Sequence, residues 1–377
     1  MHATPALRIC FVIAHLGLGG AQRALTDMVN RWAANGVLRP LVLVLGGESV
    51  PTCPLAPGVP LQWLGLTGDS SSATAKLANN VRRVRNLREV ILAARPDVVV
   101  AFQDTTNVLT LLACLGTGLP VVVSERTDPA FHDIGPAWSA LRALAYPLAA
   151  AVVVQTEAAR KALPWPARST ARIIPNAVFA PKADGDCAPP QPRPLVMGLG
   201  RLSPEKGFFE LLQSFALAAA TRPEWHLALL GHGPQRSELA ALGQTLGIDD
   251  RLHLPGTVHN AAAWLAQADL FALASHYEGF PNALCEALAS GLPAITTATS
   301  GSTAVLRPEI DGLLVPVKDV SALAAALGRL MDDEALRRSM ALRAPEILER
   351  YGADRILGLW EELLEQVSAD QPVGGRK

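Results

Sequence analysis

The sequence predicts an α/β protein made of two doubly wound, Rossmann-like parallel-sheet domains that face a central cleft. Three observations support this fold class. The 377 residues exceed the length at which a single hydrophobic core usually stops growing. Short apolar runs alternate with amphipathic helical patterns in both halves of the chain. Because these runs lack a polar face, they are typical of parallel strands covered by helices on both sides.

The first half of the chain, residues 1–178, is predicted to form an N-terminal domain. A helix over 21–34 follows the first apolar run, and Gly36 is placed to end that helix. The alternation continues to the end of this half, which predicts a sheet with helices on both faces. The predicted strands are 9–14, 40–45, 97–102, 120–124 and 150–155.

A linker is predicted over 179–194, where FAPKADGDCAPPQPRP contains five prolines and no periodicity. The alternation then restarts and predicts a second domain over 195–345. The remaining residues, 346–377, include a last helix near 353–367 that we expect to cross back to the first domain. The predicted strands of the second domain are 195–200, 227–230, 270–274, 294–297 and 313–315, and its helices are 207–220, 236–246, 261–267, 281–290 and 321–331.

Composition and charge argue against several classes of protein. The chain has 33 Lys and Arg against 34 Asp and Glu, whereas nucleic-acid binding needs a basic excess. Its five cysteines are far apart and form no CxxC, so we expect neither a disulfide framework nor a cysteine-built metal site. No apolar segment reaches about 20 uninterrupted residues, and the N-terminus lacks the pattern of a signal peptide. We therefore expect a soluble cytoplasmic protein.

The strongest motif is SHYEGFPNALCEALASG, residues 275–291. It follows an apolar strand and opens a helix, with Pro281 suited to the first helical position and Gly291 to the position just past the end. The amides at this helix start would point out at the carboxyl end of the strand, where open parallel sheets bind anionic ligands. Glu278 lies in the loop and Glu286 lies eight residues later in the helix, so each carboxylate can meet a different part of a ligand.

The second motif is GLGRLSPEKGFFELL, residues 198–212. A strand ends at Gly200, then Arg201 and Lys206 follow, and a helix begins near Gly207. Two cations at the carboxyl end of a strand suit a diphosphate, which Arg201 can bind as a fork and Lys206 as a point charge. Each feature alone is common on protein surfaces. Their shared position at strand ends is what predicts one site.

A third motif, HLGLGGAQRAL, makes the turn after the first strand rich in glycine. Gly19 and Gly20 lie where the strand passes into the helix, which is a place that can approach a phosphate closely. The turn does not match the dinucleotide fingerprint, because Gln22 occupies its sixth position. We therefore do not predict a nicotinamide or flavin dinucleotide here.

These motifs resemble those of the retaining nucleotide-sugar glycosyltransferases of family 4, which have the GT-B fold. The resemblance covers nearly the whole chain and preserves the order of the motifs. In the glycine turn, Gln22 stands where the family commonly has Glu. The segments that carry it are GGAQR at 19–23, IPN at 174–176, GRL and KG within 200–207, the E-x7-E signature from Glu278 to Glu286, GLP at 291–293 and DGLLV at 311–315.

The resemblance implies that a nucleoside diphosphate sugar binds the second domain as co-substrate, without a cofactor or metal, and that the acceptor binds the first domain. Glu286 would hold the ribose hydroxyls, and Glu278 would contact the donor sugar near its developing positive charge. Arg201 and Lys206 would neutralise the departing diphosphate, so these two and Glu278 are the predicted catalytic residues. The other predicted donor-binding residues are Gly19, Gly20, Gly279, Phe280, Asn282, Ala283 and Leu284.

The acceptor side departs from the family pattern in one segment. Many members have a histidine after the fourth strand predicted here, and Arg126 stands where related sequences can carry it. His132 follows six residues later. Either residue could replace the contact, or the contact could be absent. Asp104 and Asn107, which follow the preceding strand, are further acceptor-side candidates.

The segment from Lys76 to Ala94 is an amphipathic helical pattern with a separate basic surface. Two interpretations remain open: an ordinary covering helix with a solvated face, or a basic face for anionic lipid or a lipid diphosphate acceptor. The second predicts peripheral contact with the inner face of the cell membrane. The apolar stripe is Leu77, Val81, Val84, Leu87 and Ile91, and the cations are Lys76, Arg82, Arg83, Arg85 and Arg88.

Together these observations predict a retaining, metal-independent glycosyltransferase of hexosyltransferase type. Its expected acceptor is a lipid-linked glycan or polysaccharide of the bacterial cell surface, in polysaccharide or lipopolysaccharide assembly. Two alternatives remain, a nucleotide-sugar epimerase or hydrolase on the same fold and a non-catalytic sugar-nucleotide-binding subunit. The presence of both carboxylates with both cations argues against the second alternative, because a module that only binds does not need charges aimed at a leaving group.

Overall fold

The computed structural model describes residues 6–17, 19–51, 53–66, 73–181, 192–258 and 260–370, and of residues 73–77 it describes the backbone alone. The described chain forms two compact units. The first combines the chain up to Ala177 with the segment that begins at Ile356, and the second runs from Val178 to Arg355. Most of the linker predicted over 179–194, namely 182–191, lies outside the described residues.

The first unit is built on a seven-stranded sheet in which all neighbouring strands are parallel. Its elements are β1 (Leu7–Ile13), α1 (Gly20–Asn35), β2 (Leu38–Val44), β3 (Leu61–Trp63), α2 (Ala73–Ala94), β4 (Val98–Phe102), α3 (Asp104–Cys114), β5 (Val121–Ser124), α4 (Pro136–Ala145), β6 (Ala151–Val154), α5 (Glu157–Ala162), α6 (Trp165–Ser169) and β7 (Ala171–Ile173). The strand order is β3-β2-β1-β4-β5-β6-β7. The doubly wound topology predicted for this half is therefore observed.

Both faces of this sheet are buried, which explains the continuous apolar runs of its strands. On one face, Cys10 and Val12 of β1 join a cluster with Leu87 of α2. On the other face, Phe11 stacks on Trp32 of α1 with 5.8 Å between ring centroids. Helices α2, α3, α4 and α6 follow one another across the first of these faces. In this row α3 touches both α2 and α4, and α6 touches the 3₁₀ turn Tyr146–Leu148 that continues α4.

The second unit has a six-stranded parallel sheet in the order β10-β9-β8-β11-β12-β13. Buried apolar clusters cover both of its faces. The elements are β8 (Leu195–Leu199), α7 (Phe208–Ala218), β9 (His226–Leu230), α8 (Arg236–Thr245), β10 (Leu252–Gly256), α9 (Ala261–Leu265), β11 (Leu270–Leu273), α10 (Asn282–Ala289), β12 (Ala294–Thr297), α11 (Ser300–Val305), β13 (Gly312–Val315), α12 (Val320–Asp332), α13 (Glu334–Arg343) and α14 (Ile347–Tyr351).

The last helix, α15 (Ala353–Ala369), packs on the first unit from Ile356 onward. Trp360 is fully buried and stacks on Phe102 with ring centroids 6.3 Å apart. The indole Nε1 of Trp32 donates to Glu361 Oε1 at 2.7 Å. These contacts cover the sheet face that also carries α1. Among the described residues, every helix is too short or too polar to cross a bilayer.

Two details of the predicted motifs differ in the structure. Pro281 is the N-cap of α10 rather than its first helical residue, because its ψ of 77° is not helical and the helix begins at Asn282. Gly291 does follow the helix, with a φ of 78° that favours glycine. In α2, Val81 is exposed although it belongs to the predicted apolar stripe. At about 1.5 Å per residue, this helix is much longer than the strands that it covers.

Candidate active site

The loops after β8 and β11 meet because these strands are neighbours in the second sheet. The Nζ of Lys206 lies 2.5 Å from Oε1 of Glu278, and the Ser275 hydroxyl donates to the same oxygen at 2.7 Å. Both charged side chains are mostly buried. Two of the predicted catalytic residues, 72 positions apart in the chain, therefore form one ion pair.

Close backbone packing sets the position of Lys206. The next residue, Gly207, has a φ of 63°, and a Cβ there would lie 2.0 Å from the carbonyl oxygen of Ala274. Only glycine permits this approach of the β8 loop to the end of β11. Gly200 leaves room on the other side, since a Cβ there would lie 3.5 Å from Cδ of Lys206.

The backbone around Glu278 is held by the start of α11. The amide of Gly301 donates to the Glu278 carbonyl at 3.0 Å, and the Ser300 hydroxyl donates to the same oxygen at 3.1 Å. A Cβ on Gly301 would lie 2.7 Å from that oxygen. The carboxylate therefore sits on a loop that is fixed at its backbone, which favours a preorganised charge.

The N-cap residue of α10, Pro281, provides no side-chain hydrogen bond to the helix, and no other side chain of the described residues is seen to cap it. The Asn282 amide donates to the Phe280 carbonyl at 3.0 Å. The next amides, those of Ala283 and Leu284, are therefore the ones suited to an anionic group. Among the predicted donor-binding residues, Phe280 and Leu284 point into the core, and the Phe280 ring meets Tyr351 edge-on at 5.7 Å. Only the backbone of these two residues could contact a ligand. The other candidates of this segment, Gly279, Asn282, Ala283 and Glu286, are partly exposed.

Arg201 is exposed and forms no ion pair within the described part of the chain. Beside it lies the loop after β9, which none of the three motifs includes. A Cβ on Gly231 would lie 1.9 Å from the Gly200 carbonyl oxygen, and the Leu202 amide donates to the His232 carbonyl at 3.0 Å. His232 is exposed there. The signal was present as Gly-His-Gly directly after a predicted strand.

In the first unit, two acceptor-side candidates form a pair. His132 Nε2 lies 3.2 Å from Asp104 Oδ2, at the start of α3. Burial raises the pKa of Asp104, but the hydrogen bonds from His132 and from the Thr105 amide outweigh it and leave the pKa below its usual value. The hydrogen bond to Asp104 raises the pKa of His132, against partial burial. Over 40% of the His132 side chain is exposed, so a ligand can reach this pair.

Asn107 lies inside the first unit rather than on its surface. Its Nδ2 donates to the Ser124 carbonyl at 3.1 Å and to the Tyr146 hydroxyl at 3.0 Å. That hydroxyl donates to Glu125 Oε2 at 2.5 Å. Burial raises the pKa of Glu125 to about 7, and the Tyr146 hydrogen bond lowers it in part. Because Asn107 is fully buried, it supports this arrangement and does not face an acceptor.

Arg126 is also buried, with one polar contact and two aromatic ones. Its Nη1 donates to Asn176 Oδ1 at 2.5 Å, and its Cζ lies 4.4 Å from the centroid of Phe102 and 5.7 Å from that of Trp360. Within the described ranges, its Nε and Nη2 have no hydrogen-bond partner. Burial lowers the pKa of Arg126 to about 9. Asn176 belongs to the IPN segment. That segment thus contacts Arg126, the residue that stands where related sequences can carry a histidine.

In the glycine turn after β1, the side chain of Gln22 packs against Gly19. Gly19 is extended, and a Cβ there would lie 2.2 Å from Gln22 Oε1. Nε2 of Gln22 is 3.2 Å from Nε2 of His15. Gly20 begins α1 and is exposed, as is Gly19. Both glycines thus remain accessible, and Gln22 contacts His15.

Several cations of α2 are engaged with the protein itself. Arg83 Nε donates to the Leu66 carbonyl at 2.6 Å, Arg85 pairs with Glu89, and Arg88 Nη1 donates to the Ala113 and Leu115 carbonyls. Arg82 is exposed, and the Lys76 side chain lies outside the described residues. No group of three or more possible metal-ligating His, Cys, Asp or Glu side chains occurs in the described ranges.

Two family models match this chain and together span most of it. The model described as glycosyl transferase 4-like domain matches residues 19–177, and the one described as glycosyl transferases group 1 matches residues 182–346. The boundary between the two matches coincides with the boundary between the two units. Two Rossmann-like units with these matches define a GT-B glycosyltransferase. The chain belongs to the glycosyltransferases of family 4.

Curated relatives agree with this assignment. An exopolysaccharide phosphotransferase of Streptomyces coelicolor is 33% identical over 301 residues, which are 78% of this chain and 31% of that protein. The chain thus spans about a third of that relative's length. A Campylobacter jejuni enzyme is 26% identical over 363 residues, 96% of this chain and 99% of the relative. Its name describes an α-1,4-N-acetylgalactosaminyltransferase that acts on an undecaprenol-diphosphate-linked glycan.

A solved structure shares the fold over almost its full length. HepE from Anabaena, in complex with UDP and glucose, aligns with a TM-score of 0.77 and 18% identity over 95% of this chain and 99% of that one. The fold class predicted from the sequence is therefore confirmed.

Proposed function

We propose that this glycosyltransferase moves a hexose from a nucleoside diphosphate sugar to a hydroxyl of a lipid-linked or polysaccharide glycan of the bacterial cell surface, with retention at the anomeric carbon. The observation that carries the proposal is the Lys206–Glu278 ion pair beside the uncapped start of α10. Cation, carboxylate and helix amides lie at the carboxyl ends of adjacent strands. This is where an open parallel sheet binds a phosphorylated ligand.

The chemistry follows from where charge develops. As the bond between the anomeric carbon and the diphosphate lengthens, negative charge grows on the diphosphate oxygens, and positive charge grows on the sugar. Lys206, Arg201 and the first amides of α10 would stabilise the leaving group, and Glu278 would stabilise the sugar. Fixed charges of this kind lower a barrier by about 3–4 kcal/mol for each donor. These residues supply the positive charge themselves, so we propose a reaction that does not need a metal.

The donor and the acceptor are proposed from the names of relatives and neighbours. The Campylobacter relative is named for a transferase of undecaprenol-linked glycans, and HepE was solved with UDP and glucose. We propose a nucleoside diphosphate hexose as donor and a glycan, free or lipid-linked, as acceptor. The Asp104–His132 pair in the first unit is the acceptor-side contact that the geometry favours most, because it is polar and accessible.

The test is acceptor-dependent release of nucleoside diphosphate. A panel of nucleoside diphosphate sugars is first screened by thermal shift, because a ligand that binds only the folded state raises its stability. The donor that shifts the melting temperature is then incubated with and without glycan acceptors. Release that requires an acceptor supports the transferase. Release without an acceptor, or an altered sugar, would favour a hydrolase or an epimerase, and binding without turnover would favour a non-catalytic subunit.

The proposal includes peripheral contact with an anionic membrane through the basic side of α2, residues 76–88. The exposed Arg82 supports it, whereas Arg83 and Arg88 are occupied by backbone carbonyls. Reversing Arg82 to Glu should weaken co-flotation with anionic liposomes at low salt. Equal flotation of this variant would remove α2 from the contact.

A further inference from the structure

Helix α4 of the first unit turns an apolar stripe outward. Leu141, Leu144 and Leu148 are spaced by three and four residues, so they share one side of α4 and of the turn that continues it. All three are exposed, and 74% of Leu144 is accessible. A helix that covers a sheet normally buries its apolar side. Here Arg142 and Tyr146, four residues apart, lie on the buried side instead.

Of the two inward polar groups, Tyr146 has hydrogen-bond partners, whereas Nε and Nη1 of Arg142 are buried without one among the described residues. The Tyr146 hydroxyl bonds with Asn107 and Glu125 inside the unit. The positive charge of Arg142 lies close enough to Glu125 to lower that carboxyl's pKa, although burial has the larger and opposite effect. Nothing comparable explains the three outward leucines. Within the described residues they contribute exposed apolar surface and no part of the core.

Exposed apolar side chains also occur on the helices that contact α4 and its turn. Trp165, at the start of α6, is 74% exposed, and α6 touches the turn that holds Leu148. Leu115 follows α3, which touches α4, and it is exposed too. We call Leu115, Leu141, Leu144, Leu148 and Trp165 the outer apolar surface. It crosses the middle of the helix row α2–α3–α4–α6.

Basic residues flank the outer apolar surface. Helices α2 to α6 contain nine Lys and Arg but three Asp and Glu, although the whole chain has a formal net charge of −1. Arg88 reaches the carbonyl of Leu115 from the α2 side, at 2.8 Å. Lys161 of α5 and Arg168 of α6 are exposed on the Trp165 side. An apolar centre between two basic margins is the arrangement that suits an anionic lipid surface.

We infer that the outer apolar surface docks on an anionic bilayer, with the leucines and Trp165 at the boundary between headgroups and acyl chains. An indole is amphipathic and is enriched at this depth. Among the flanking cations, the exposed Lys161 would face lipid phosphates, whereas Arg88 and Arg168 also donate to backbone carbonyls of the protein. A second copy of the chain fits less well, because a two-fold interface would bring the same basic margins against each other. The apolar residues of this inference lie outside α2, and the inference does not depend on sugar transfer.

The first test is co-flotation of the full chain with vesicles of phosphatidylcholine alone or with about one third phosphatidylglycerol. We expect binding to the anionic vesicles that weakens with salt. The double variant Leu144→Ser/Trp165→Ser should reduce the bound fraction about tenfold or more, because apolar area drives insertion. Leu217→Ser, on α7 of the second unit, is the matched control, since Leu217 is 61% exposed there. It should bind like the wild type.

The second test locates Trp165 directly. Brominated phosphatidylcholine in the anionic vesicles should quench part of the tryptophan emission of the wild type, and Trp165→Phe should lose most of that quenching. Absence of flotation, or equal flotation of the double variant, would overturn the inference. So would self-association of the wild type that the double variant abolishes without any vesicle binding. Turnover with a water-soluble acceptor and no vesicles should be equal in wild type and variants. A failure of membrane docking can therefore be told apart from a failure of the transferase proposal.

Discussion

Nζ of Lys206 lies 2.5 Å from Oε1 of Glu278, and neither side chain is more than a quarter exposed. Each charge therefore fixes the other before any substrate is present. The Ser275 hydroxyl donates to the same carboxylate oxygen and restricts it further. A carboxylate and a cation held in this way can act on opposite charges that separate in one reaction.

Removing either member of this pair should reduce turnover without unfolding the protein. Glu278→Gln and Lys206→Met should each lower kcat about 10²- to 10³-fold, because each loses a fixed charge at the reacting centre. The double variant should be little slower than the slower single variant, since residues that act as a unit are not additive. Steady-state release of nucleoside diphosphate measures the effect.

Matched controls for this pair are two exposed charges outside the predicted motifs. Lys318 and Glu238 are exposed on the second unit, and Lys318→Met and Glu238→Gln remove the same charges. Both should turn over at the wild-type rate. Near-normal kcat in Glu278→Gln and Lys206→Met would contradict the assignment of the site.

Gly207→Ala should be strongly destabilising. A methyl group there would meet the Ala274 carbonyl oxygen at 2.0 Å on a backbone with a φ of 63°. We expect a loss of about 3–5 kcal/mol in the free energy of unfolding. Gly247 has a φ of 66° with no atom within 4 Å of its Cβ position, so Gly247→Ala should cost only about 1 kcal/mol. Urea unfolding compares them, and equal losses would show that close packing at Gly207 is unimportant.

Arg126 should matter more for activity than for stability. Its buried guanidinium leaves two nitrogens without hydrogen-bond partners, so Arg126→Met should change the free energy of unfolding by no more than about 1 kcal/mol. The equally buried Phe102→Ala should cost about 3–5 kcal/mol. If Arg126 contacts a substrate, turnover of Arg126→Met should fall at least about tenfold. A large loss of stability with unchanged kcat would make Arg126 purely structural.

Glu125 should make stability depend on pH between about 4.5 and 7. Burial raises the pKa of this carboxyl to about 7 in the folded protein, so the folded state keeps a proton that the unfolded chain releases. Stability contributed by this group is therefore present below pH 4.5 and decreases as the pH rises to about 7. Glu125→Gln should be more stable than the wild type at pH 8, by up to about 3 kcal/mol, and nearly equal at pH 4.

The control for Glu125 is an exposed carboxyl. Glu238→Gln should leave the stability difference between pH 4 and pH 8 as in the wild type, because Glu238 is exposed on α8. Urea unfolding at a series of pH values gives the comparison. If the stability of Glu125→Gln changed with pH in parallel with that of the wild type, Glu125 would ionise over the same pH range in the folded and unfolded protein, which would contradict the prediction.

The central strands could be predicted from the sequence, whereas three of the four edge strands could not. The fourth edge strand, β13, is mostly buried and was predicted over 313–315. Strands such as β4 and β8 are buried on both faces and therefore appear as continuous apolar runs. The strands that were missed, β3, β7 and β10, lie at the edges of the two sheets and are partly exposed. A short strand that is partly exposed leaves no such pattern.

The site was predictable where motifs follow adjacent strands. Lys206 and Glu278 were expected to meet because parallel strands end at one edge, and the ion pair between them agrees with that expectation. The burial of Asn107 was not predictable, since its partners Ser124 and Tyr146 come from elements distant in the chain. The outward stripe of α4 reads as an ordinary amphipathic pattern. Only the structure reveals which side is buried.

The packing of α15 affects how this protein is made. Trp360 covers Phe102, and Glu361 accepts the hydrogen bond from Trp32, so the first unit needs residues from the end of the chain. During synthesis, the second unit, residues 178–355, leaves the ribosome complete, while the earlier unit still lacks a helix. The usual order of domain maturation, N-terminal first, is thus reversed. A nascent chain stalled before Trp360 would expose aromatic rings to chaperones or proteases.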